Sequence, residues 1–422
     1  MTFSDKGYPS LLNDEEIPVS LLLDNHYSDF EETTNIDKEL KAFIKKWKIQ
    51  GASVAVTRDE QLVYAKGFGT AYEETGEQVK PGHLFRIASV SKLITAVAVM
   101  KLVEDEMLDL NESVFGREGI LNDSVFLNYE DPRIEDITVK HLLNHTAGWS
   151  RYAGDPIFNP LYIARKMNVP PPADFDHILQ YTLLRKLNYD PGTRYSYSNM
   201  GYAILGKIIE RTSGMPYRDN VFMNMLTPLG IHDMLIGKSY YHEKYPNEVR
   251  YHSNARNSTT SSMDGSGELV PIYYGGNDME LLGPAGGWVA SAPELARFLT
   301  AIDGFDSQPD ILAPETIARM SDPDFAGKGL FGWRGSDRYG TWWRTGYLTG
   351  SSALIVRQTD GINWVVMINT STYKQSRIHR YVSAMMFSSI NKVDQWPQID
   401  LFSMEAEPPG PISDIPATNP KL

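Results

Sequence analysis

The chain has 422 residues, of which 42% are hydrophobic and 22% are charged, and it contains no cysteine. This composition supports a large buried core, and it excludes disorder of the whole chain, disulfide bonds, thiolate metal sites and a cysteine nucleophile. The net charge of −13 argues against a nucleic-acid partner, because a phosphate backbone would be repelled.

No apolar run approaches 20 residues, so the sequence predicts no transmembrane helix. The first twenty residues lack the apolar stretch of a signal peptide. We expect a bacterial periplasmic or other extracytoplasmic location with the targeting segment absent from this chain. A cytoplasmic location is the alternative.

The first part of the chain reads as an arm, a helix, a hairpin and a buried helix. Residues 1–34 are polar and without clear periodicity, which predicts an arm. IDKELKAFIKKWKI predicts a helix, and the runs GASVAVTRD and QLVYAKGFG predict the two strands of a hairpin. LITAVAVMKLVEDEML is apolar on most faces, so it predicts a helix buried in the core.

The rest of the chain passes from helices back to strands. MGYAILGKIIERTSG predicts a helix closed by Gly214, and ELARFLTAID predicts another. Turns at Thr349-Gly350 and Asp360-Gly361 separate three predicted strands. The strands are GTWWRTGYL, SSALIVRQ and INWVVMINTS, and the last helix is SRIHRYVSAMMFSSI.

This order predicts an α/β layer built from both ends of the chain, with a mainly helical region inserted between them. We place the α/β domain in residues 35–115 and 276–395, and the helical domain in residues 116–275. Residues 396–422 are rich in proline and predict a tail that is on the surface or disordered.

A serine and a lysine open the predicted buried helix in the pattern S-x-x-K, as Ser89 and Lys92. Residues three apart share a helix face, so the lysine can act as a base for the serine hydroxyl if burial depresses its pKa. The backbone amide of Ser89, at a helix start, can bind a developing oxyanion. The alternative is a serine that caps the helix, followed by a solvated lysine.

A second polar group, Tyr197-Ser198-Asn199, precedes the next helix. A tyrosine there can relay a proton between nucleophile and leaving group, and the asparagine can bind both a lysine and a substrate amide. The alternative is that Tyr197 is a core aromatic residue and Asn199 a helix cap.

A predicted strand carries the third group, Arg344-Thr345-Gly346. A cation, a hydroxyl and a glycine in this order can line a substrate, and Gly346 allows close approach. The amide of Tyr347 can then be a second oxyanion donor. The alternative is an edge strand with an exposed arginine.

Together the three motifs resemble those of the penicillin-recognising serine enzymes. The form Tyr-x-Asn is similar to the branch of class C β-lactamases, D-alanyl-D-alanine carboxypeptidases and family VIII esterases. The resemblance covers roughly residues 36 to 392. Four further stretches carry it: ITVKHLLNHTAGW, PGTRYSYSNMGYAILGKIIERTSG, TPLGIHDM and GPAGGWVASAPELARFL.

The resemblance implies an α/β (α+β) fold, with an antiparallel sheet flanked by helices, a mainly helical inserted domain, and the site between them. It implies a Ser89 acyl-enzyme on a small-molecule or peptide-like acyl substrate: a β-lactam, a D-amino-acid peptide or an ester. Lys92 and Tyr197 would share the acid–base chemistry. A catalytically weak or inactive penicillin- or peptidoglycan-binding member of the family, or a scaffold protein, is the alternative. The sequence does not indicate the oligomeric state.

Relatives usually have lysine or histidine where this chain has Arg344. An arginine keeps the charge and can hold a carboxylate with two hydrogen bonds, but it does not readily give up its proton. No cofactor is expected. His141 and His145 have the i, i+4 spacing of zinc ligands, but Leu142 replaces the glutamate of H-E-x-x-H and no third ligand is evident.

Overall fold

The computed structural model of the chain describes residues 18–254 and 258–404, and within these ranges it contains fourteen strands and twelve α-helices. The strands are β1 (Gly51–Arg58), β2 (Gln61–Tyr72), β3 (Glu77–Gln78), β4 (Phe85–Arg86), β5 (Leu235–Ile236), β6 (His252–Ser253), β7 (Thr259–Ser261), β8 (Leu269–Pro271), β9 (Trp288–Ala290), β10 (Gly335–Ser336), β11 (Trp342–Leu348), β12 (Ser351–Arg357), β13 (Ile362–Ile368) and β14 (Thr370–Ser371). The helices are α1 (Val19–Leu22), α2 (Thr34–Trp47), α3 (Ser91–Glu104), α4 (Val139–Leu143), α5 (Pro160–Met167), α6 (Phe175–Leu183), α7 (Asn199–Ser213), α8 (Tyr217–Val221), α9 (Ala292–Thr300), α10 (Pro314–Ser321), α11 (Pro323–Ala326) and α12 (Ile378–Ile390).

The main sheet has seven strands in the order β10-β11-β12-β13-β1-β2-β3. Every neighbouring pair in it is antiparallel. The predicted hairpin and the three predicted strands of the C-terminal third therefore meet in one sheet, where Ala52 pairs with Ile368. The predicted antiparallel sheet built from both ends of the chain is confirmed.

Helices cover both faces of this sheet, which explains why its central strands are apolar at nearly every position. Val54 and Val56 of β1 pack with α2 and α12 on one face. Ala55 points to the opposite face, where it belongs to the larger core that includes α3 and α9. Alternation along the strand thus feeds two separate cores.

Helix α3 is buried on all sides over its first ten residues, as its apolar sequence predicts. It packs against α7 and against the turn Gly283–Gly287. The start of α3 consequently lies where the sheet, the helical region and this turn meet. Strands β4, β9 and β5 form a small antiparallel sheet beside it.

The described part of the predicted arm packs against the rest of the fold: residues 25–28 lie along β2, and α1 packs on α9. The side chain of Ser28 both donates to the carbonyl of Ala65 and accepts from its amide, each at 2.9 Å. The amide of Gly67 donates to Asn25 at 2.7 Å. Strand β3 pairs with β2 only at Thr70 and Tyr72, so the earlier part of β2 has no strand on that side, and polar side chains of this segment bind two of its amides.

The predicted tail is likewise packed over residues 396–404. Leu401 is fully buried, and the carboxylate of Asp400 accepts a hydrogen bond of 3.1 Å from the amide of Leu62, again on β2. The rest of the predicted arm and tail lies outside the described residues. The domain boundaries stay a prediction. No helix in the described part of the chain is long and apolar enough to cross a membrane.

Candidate active site

Ser89 lies in a single 3₁₀ turn, Ala88–Val90, directly before α3. Ala88 has a φ of 48°, in the left-handed region that residues other than glycine rarely adopt. Ser89 is partly accessible, whereas Ala88 and Val90 are buried. The turn therefore holds a strained backbone that presents one hydroxyl to solvent, as functional turns often do.

The second serine of the motif, Ser91, is structural. It is fully buried, its hydroxyl donates to the carbonyl of Ala88 at 2.7 Å, and it accepts from the amide of Trp288 at 3.2 Å. The amide of Ile87 donates to the carbonyl of Trp288 at 3.0 Å. Strand β9 thus fixes the turn from behind, and Ser89 alone remains available.

Lys92 is fully buried on the first turn of α3, and its ammonium has three acceptors. It donates to the Asn199 Oδ1 at 2.7 Å, to the carbonyl of Ala285, and to the Ser89 Oγ at a longer 3.4 Å. A buried cation is costly unless its donors are satisfied, so these contacts fix the position of the amine. The alternative of a solvated lysine is excluded.

The hydroxyl of Tyr197 lies 2.8 Å from the Ser89 Oγ, closer than the lysine. Burial raises the pKa of a tyrosine, but the positive charges of Lys92 and Arg344 outweigh burial here and lower the pKa of Tyr197 to about 8. Burial also lowers the pKa of Lys92. The site therefore holds a tyrosine that changes its protonation state near pH 8, beside a buried amine with a lowered pKa.

Asn199 is the first residue of α7, and its side chain turns inward to Lys92. Ser198 caps this helix by accepting from the amide of Gly201 at 3.0 Å. The local sequence explains the arrangement, since a serine at the helix start leaves the flanking Tyr197 and Asn199 on the side facing α3.

Arg344 is buried, which excludes the alternative of an exposed arginine on an edge strand. Its side chain is only 1% exposed. The Nε donates to the backbone carbonyl of Ser89 at 2.7 Å, and an Nη donates to the hydroxyl of Tyr197 at 3.2 Å. Two of the five guanidinium donors therefore bind protein groups at the turn Ala88–Val90 and at Tyr197, and the predicted contact with a substrate carboxylate stays a prediction.

Gly346 is required by close approach of two backbones. A Cβ at this position would lie 2.0 Å from the carbonyl oxygen of Ile87 and 3.0 Å from the amide nitrogen of Ser89. Thr345 and Tyr347 alternate to the other face of β11, and both are partly exposed. The structure thus joins Arg344 and Gly346 to the nucleophile turn, and it places Thr345 and Tyr347 beside it.

The two histidines of HLLNH have separate structural positions. His141 accepts from the amide of Thr138 in the cap of α4. His145 packs its ring 4.5 Å from that of Tyr197, between centroids, and its Nδ1 accepts from the amide of Ser198. Burial holds the pKa of His145 well below its usual range. No metal-binding group of three or more His, Cys, Asp or Glu side chains occurs among the described residues.

Sequence reasoning missed two parts of the site. The carbonyl of Ala285 binds Lys92, and the carboxylate of Asp155 accepts from the amide and the side chain of Asn199. Ala285 lies in GPAGGWVASAPELARFL, which already carried the family resemblance, so that stretch was a usable signal. Asp155 is one acidic residue in an irregular loop, and no local pattern marks it.

Comparisons with known proteins agree with this geometry. Residues 36–384 match the family described as Beta-lactamase. Esterase EstB of Burkholderia gladioli is 27% identical over 329 residues, which are 74% of this chain and 78% of that protein.

Solved structures extend the comparison. The octameric penicillin-binding protein homologue from Pyrococcus abyssi is 26% identical with a TM-score of 0.61, over 87% of this chain and 79% of that one. D-amino acid amidase from Ochrobactrum anthropi has a TM-score of 0.67 over 86% of this chain and 99% of that one, and at 20% identity this likeness shows the shared fold. The predicted resemblance is confirmed: the chain belongs to the Beta-lactamase family, within the superfamily of serine β-lactamases and penicillin-binding protein-like enzymes.

Proposed function

We propose that the protein is a metal-independent serine hydrolase that acylates Ser89 with an ester or amide substrate and then hydrolyses the acyl-enzyme. The observation that carries this proposal is the 2.8 Å contact between the hydroxyls of Tyr197 and Ser89, set between the buried cations of Lys92 and Arg344. Serine needs an adjacent base to act as a nucleophile, and this cluster contains one.

Tyr197 is the better-placed base, because its oxygen is 2.8 Å from the Ser89 Oγ and the Lys92 Nζ is 3.4 Å away. As the Ser89 oxygen bonds to the substrate carbonyl carbon, its proton passes to Tyr197. The carbonyl oxygen becomes an oxyanion. When the intermediate collapses, the ester or amide bond breaks and the leaving group takes the proton from Tyr197.

Deacylation repeats these steps with water. Tyr197 takes a proton from the attacking water, the bond to the Ser89 oxygen breaks, and the proton returns to Ser89. Lys92 shares the acid–base chemistry by stabilising the phenolate form of Tyr197, and Asn199 orients Lys92 and the substrate amide. The amides of Ser89 and Tyr347 form the oxyanion hole in this proposal.

A cleft of about 290 Å³ lies near the site and is lined by His145, Tyr195, Trp333 and Arg334. Ser89 and Tyr197 do not line this cleft, and the ring of His145 lies between it and Tyr197. The similar proteins include an esterase and a D-amino acid amidase, which supports ester and amide substrates as a class. An extracytoplasmic location remains part of this proposal.

A fluorophosphonate probe and a substrate panel test the proposal. The panel contains nitrocefin, p-nitrophenyl esters and D-alanyl peptides. We expect wild-type protein to be labelled and to hydrolyse at least one substrate class, and Ser89→Ala to do neither. A wild-type protein that is neither labelled nor active would instead support the alternative of a non-catalytic binding protein.

A further inference from the structure

Asp155 lies 44 residues before Asn199, in the loop that leads to α5, yet it contacts the start of α7 at three points. One carboxylate oxygen accepts from the backbone amide of Asn199 at 2.6 Å and from its side-chain Nδ2 at 3.1 Å. The other accepts from the amide of Met200 at 3.2 Å. All three partners are donors, which suits an ionised carboxylate.

These contacts fix which way the Asn199 amide points. Its oxygen accepts from the Lys92 ammonium at 2.7 Å, and its nitrogen donates to Asp155. The flipped amide would place an NH₂ group against the ammonium and an oxygen against the carboxylate, and both contacts would be repulsive. Asp155 and Lys92 therefore select one orientation of Asn199 between them.

Asp155 also acts on Lys92 through its charge. The carboxylate opposes the lowering of the pKa of Lys92 that burial causes, and Lys92 in turn opposes the raised pKa that burial gives Asp155. The two charges are connected through one neutral amide. Lys92 is thus held beside Ser89 by an arrangement that includes a residue outside the three motifs.

We propose that Asp155 is a positioning residue, which holds Asn199 in the orientation that binds Lys92 and thereby keeps the ammonium beside Ser89. This inference rests on the proposed function, because it assigns a role within the same acylation step. A purely structural role is the competing explanation, since a carboxylate at a helix start also stabilises the helix.

Ser198 provides a matched control. It caps the same helix by accepting from the amide of Gly201 at 3.0 Å, and the described hydrogen bonds of the Asn199 and Lys92 side chains do not involve its hydroxyl. Ser198→Ala removes a cap from α7 and leaves the Asn199 amide bound at both ends. Asp155→Asn removes the negative charge while keeping one oxygen as an acceptor.

The experiment measures kcat/KM for p-nitrophenyl butyrate from pH 5 to 10, together with Tm, for wild type, Asp155→Asn and Ser198→Ala. We expect Ser198→Ala to lower Tm and keep kcat/KM within about twofold. Asp155→Asn should lower the plateau by about 10- to 100-fold, as misplacement of a reacting group does. It should also move the low-pH limb to lower pH, because loss of a negative charge lowers the pKa values of Lys92 and Tyr197.

Asp155→Asn and Ser198→Ala with the same plateau and the same low-pH limb would show that Asp155 only caps the helix. If Asp155→Asn does not fold, Asp155→Ser takes its place under the same criterion, since it too removes the charge and retains an acceptor. A wild-type protein that neither hydrolyses the ester nor is labelled at Ser89 would instead overturn the proposed function, and the inference with it.

Discussion

Two helices, α3 and α7, begin at the site, and they differ in whether side chains cap their first amides. No described side chain caps the start of α3, where Ser89 lies in a turn held by backbone bonds, by the buried Ser91 and by Arg344. The start of α7 has its first three amides bound, two by Asp155 and one by Ser198. The positive end of the α3 dipole therefore has no side-chain cap, whereas that of α7 is capped by two side chains.

The difference follows from what each helix start presents. The oxyanion donor proposed at this end is the amide of Ser89, since the amides of Val90 and Ser91 donate to backbone carbonyls of the turn. A side chain that capped the Ser89 amide would occupy the place of the ligand. The start of α7 contributes side chains, Tyr197 and Asn199, whose positions matter more than any free amide. The contacts of Asp155 with the amide and the side chain of Asn199 hold that side chain in place.

The largest expected effect is at Ser89, in the turn before α3. Ser89→Ala should reduce hydrolysis by several orders of magnitude, on the order of 10⁶ for removal of an essential nucleophile, while the protein stays folded. Ser91→Ala is the control: it should lower Tm, because Ser91 binds Ala88 and Trp288, yet retain hydrolysis. Assays of both variants on one ester show which serine is the nucleophile. An inactive Ser91→Ala with an active Ser89→Ala would assign that role to Ser91.

Next to the start of α7, Tyr197→Phe should slow acylation by about 10²- to 10⁴-fold, because the Ser89 proton loses its acceptor. Lys92→Ala should slow it comparably, since the phenolate form of Tyr197 then loses a neighbouring positive charge. Pre-steady-state release of p-nitrophenol measures the acylation rate directly. Normal acylation by Tyr197→Phe would mean that this ring only packs against His145.

Arg344 links the two helix starts, because it donates both to the carbonyl of Ser89 and to the hydroxyl of Tyr197. Arg344→Gln should raise the pKa of Tyr197 above about 8, so the low-pH limb of kcat/KM moves to higher pH and the rate at pH 7.5 falls about 10- to 100-fold. Arg344→Lys should recover only part of the lost rate, because a point charge cannot make both contacts.

The substrate dependence separates this role from the one that the sequence suggested. If Arg344 acts through its two contacts with Ser89 and Tyr197, the loss should be equal for a neutral p-nitrophenyl ester and for an ester that carries a carboxylate. A loss confined to the carboxylate substrate would restore the sequence-based interpretation of Arg344 as a substrate contact.

The smallest effects are expected from substitutions of two glycines, one beside each helix start. Gly346 of β11 lies against the turn before α3, and Gly201 is in α7. Gly346→Ala should cost about 1–3 kcal/mol of unfolding free energy and most of the activity, because the new Cβ would lie 2.0 Å from the carbonyl of Ile87. Gly201→Ala, in the first turn of α7, meets nothing closer than 3.7 Å and should be neutral or stabilising by about 0.5–1 kcal/mol. Urea denaturation and kcat/KM measure both, and equal losses would contradict the account.

The sequence predicted those parts of the site that local patterns mark. Ser89 and Lys92 share a helix turn, and Tyr197 and Asn199 flank a cap, so their grouping follows from spacing and family motifs. The strands of the main sheet and the helices that pack on it were predicted for the same reason, since their hydrophobic periodicity is local.

The remaining features depend on contacts between distant segments, which one sequence does not display. Asp155 reaches α7 from an irregular loop, and the buried position of Arg344 is set by how β11 packs on the turn before α3. The packing of residues 18–33 and 396–404 depends on unpaired amides of β2, and the polar residues that satisfy them resemble those of a solvated arm.

The most direct test of the central claim is to find the acylated residue by peptide mapping after reaction with a fluorophosphonate. Tandem mass spectrometry of the digested protein should place a single adduct on Ser89, with none on Ser91, and the adduct should be absent from Ser89→Ala. An adduct on Ser91 or on Tyr197, or labelling that persists in Ser89→Ala, would contradict the assignment of Ser89 as the nucleophile.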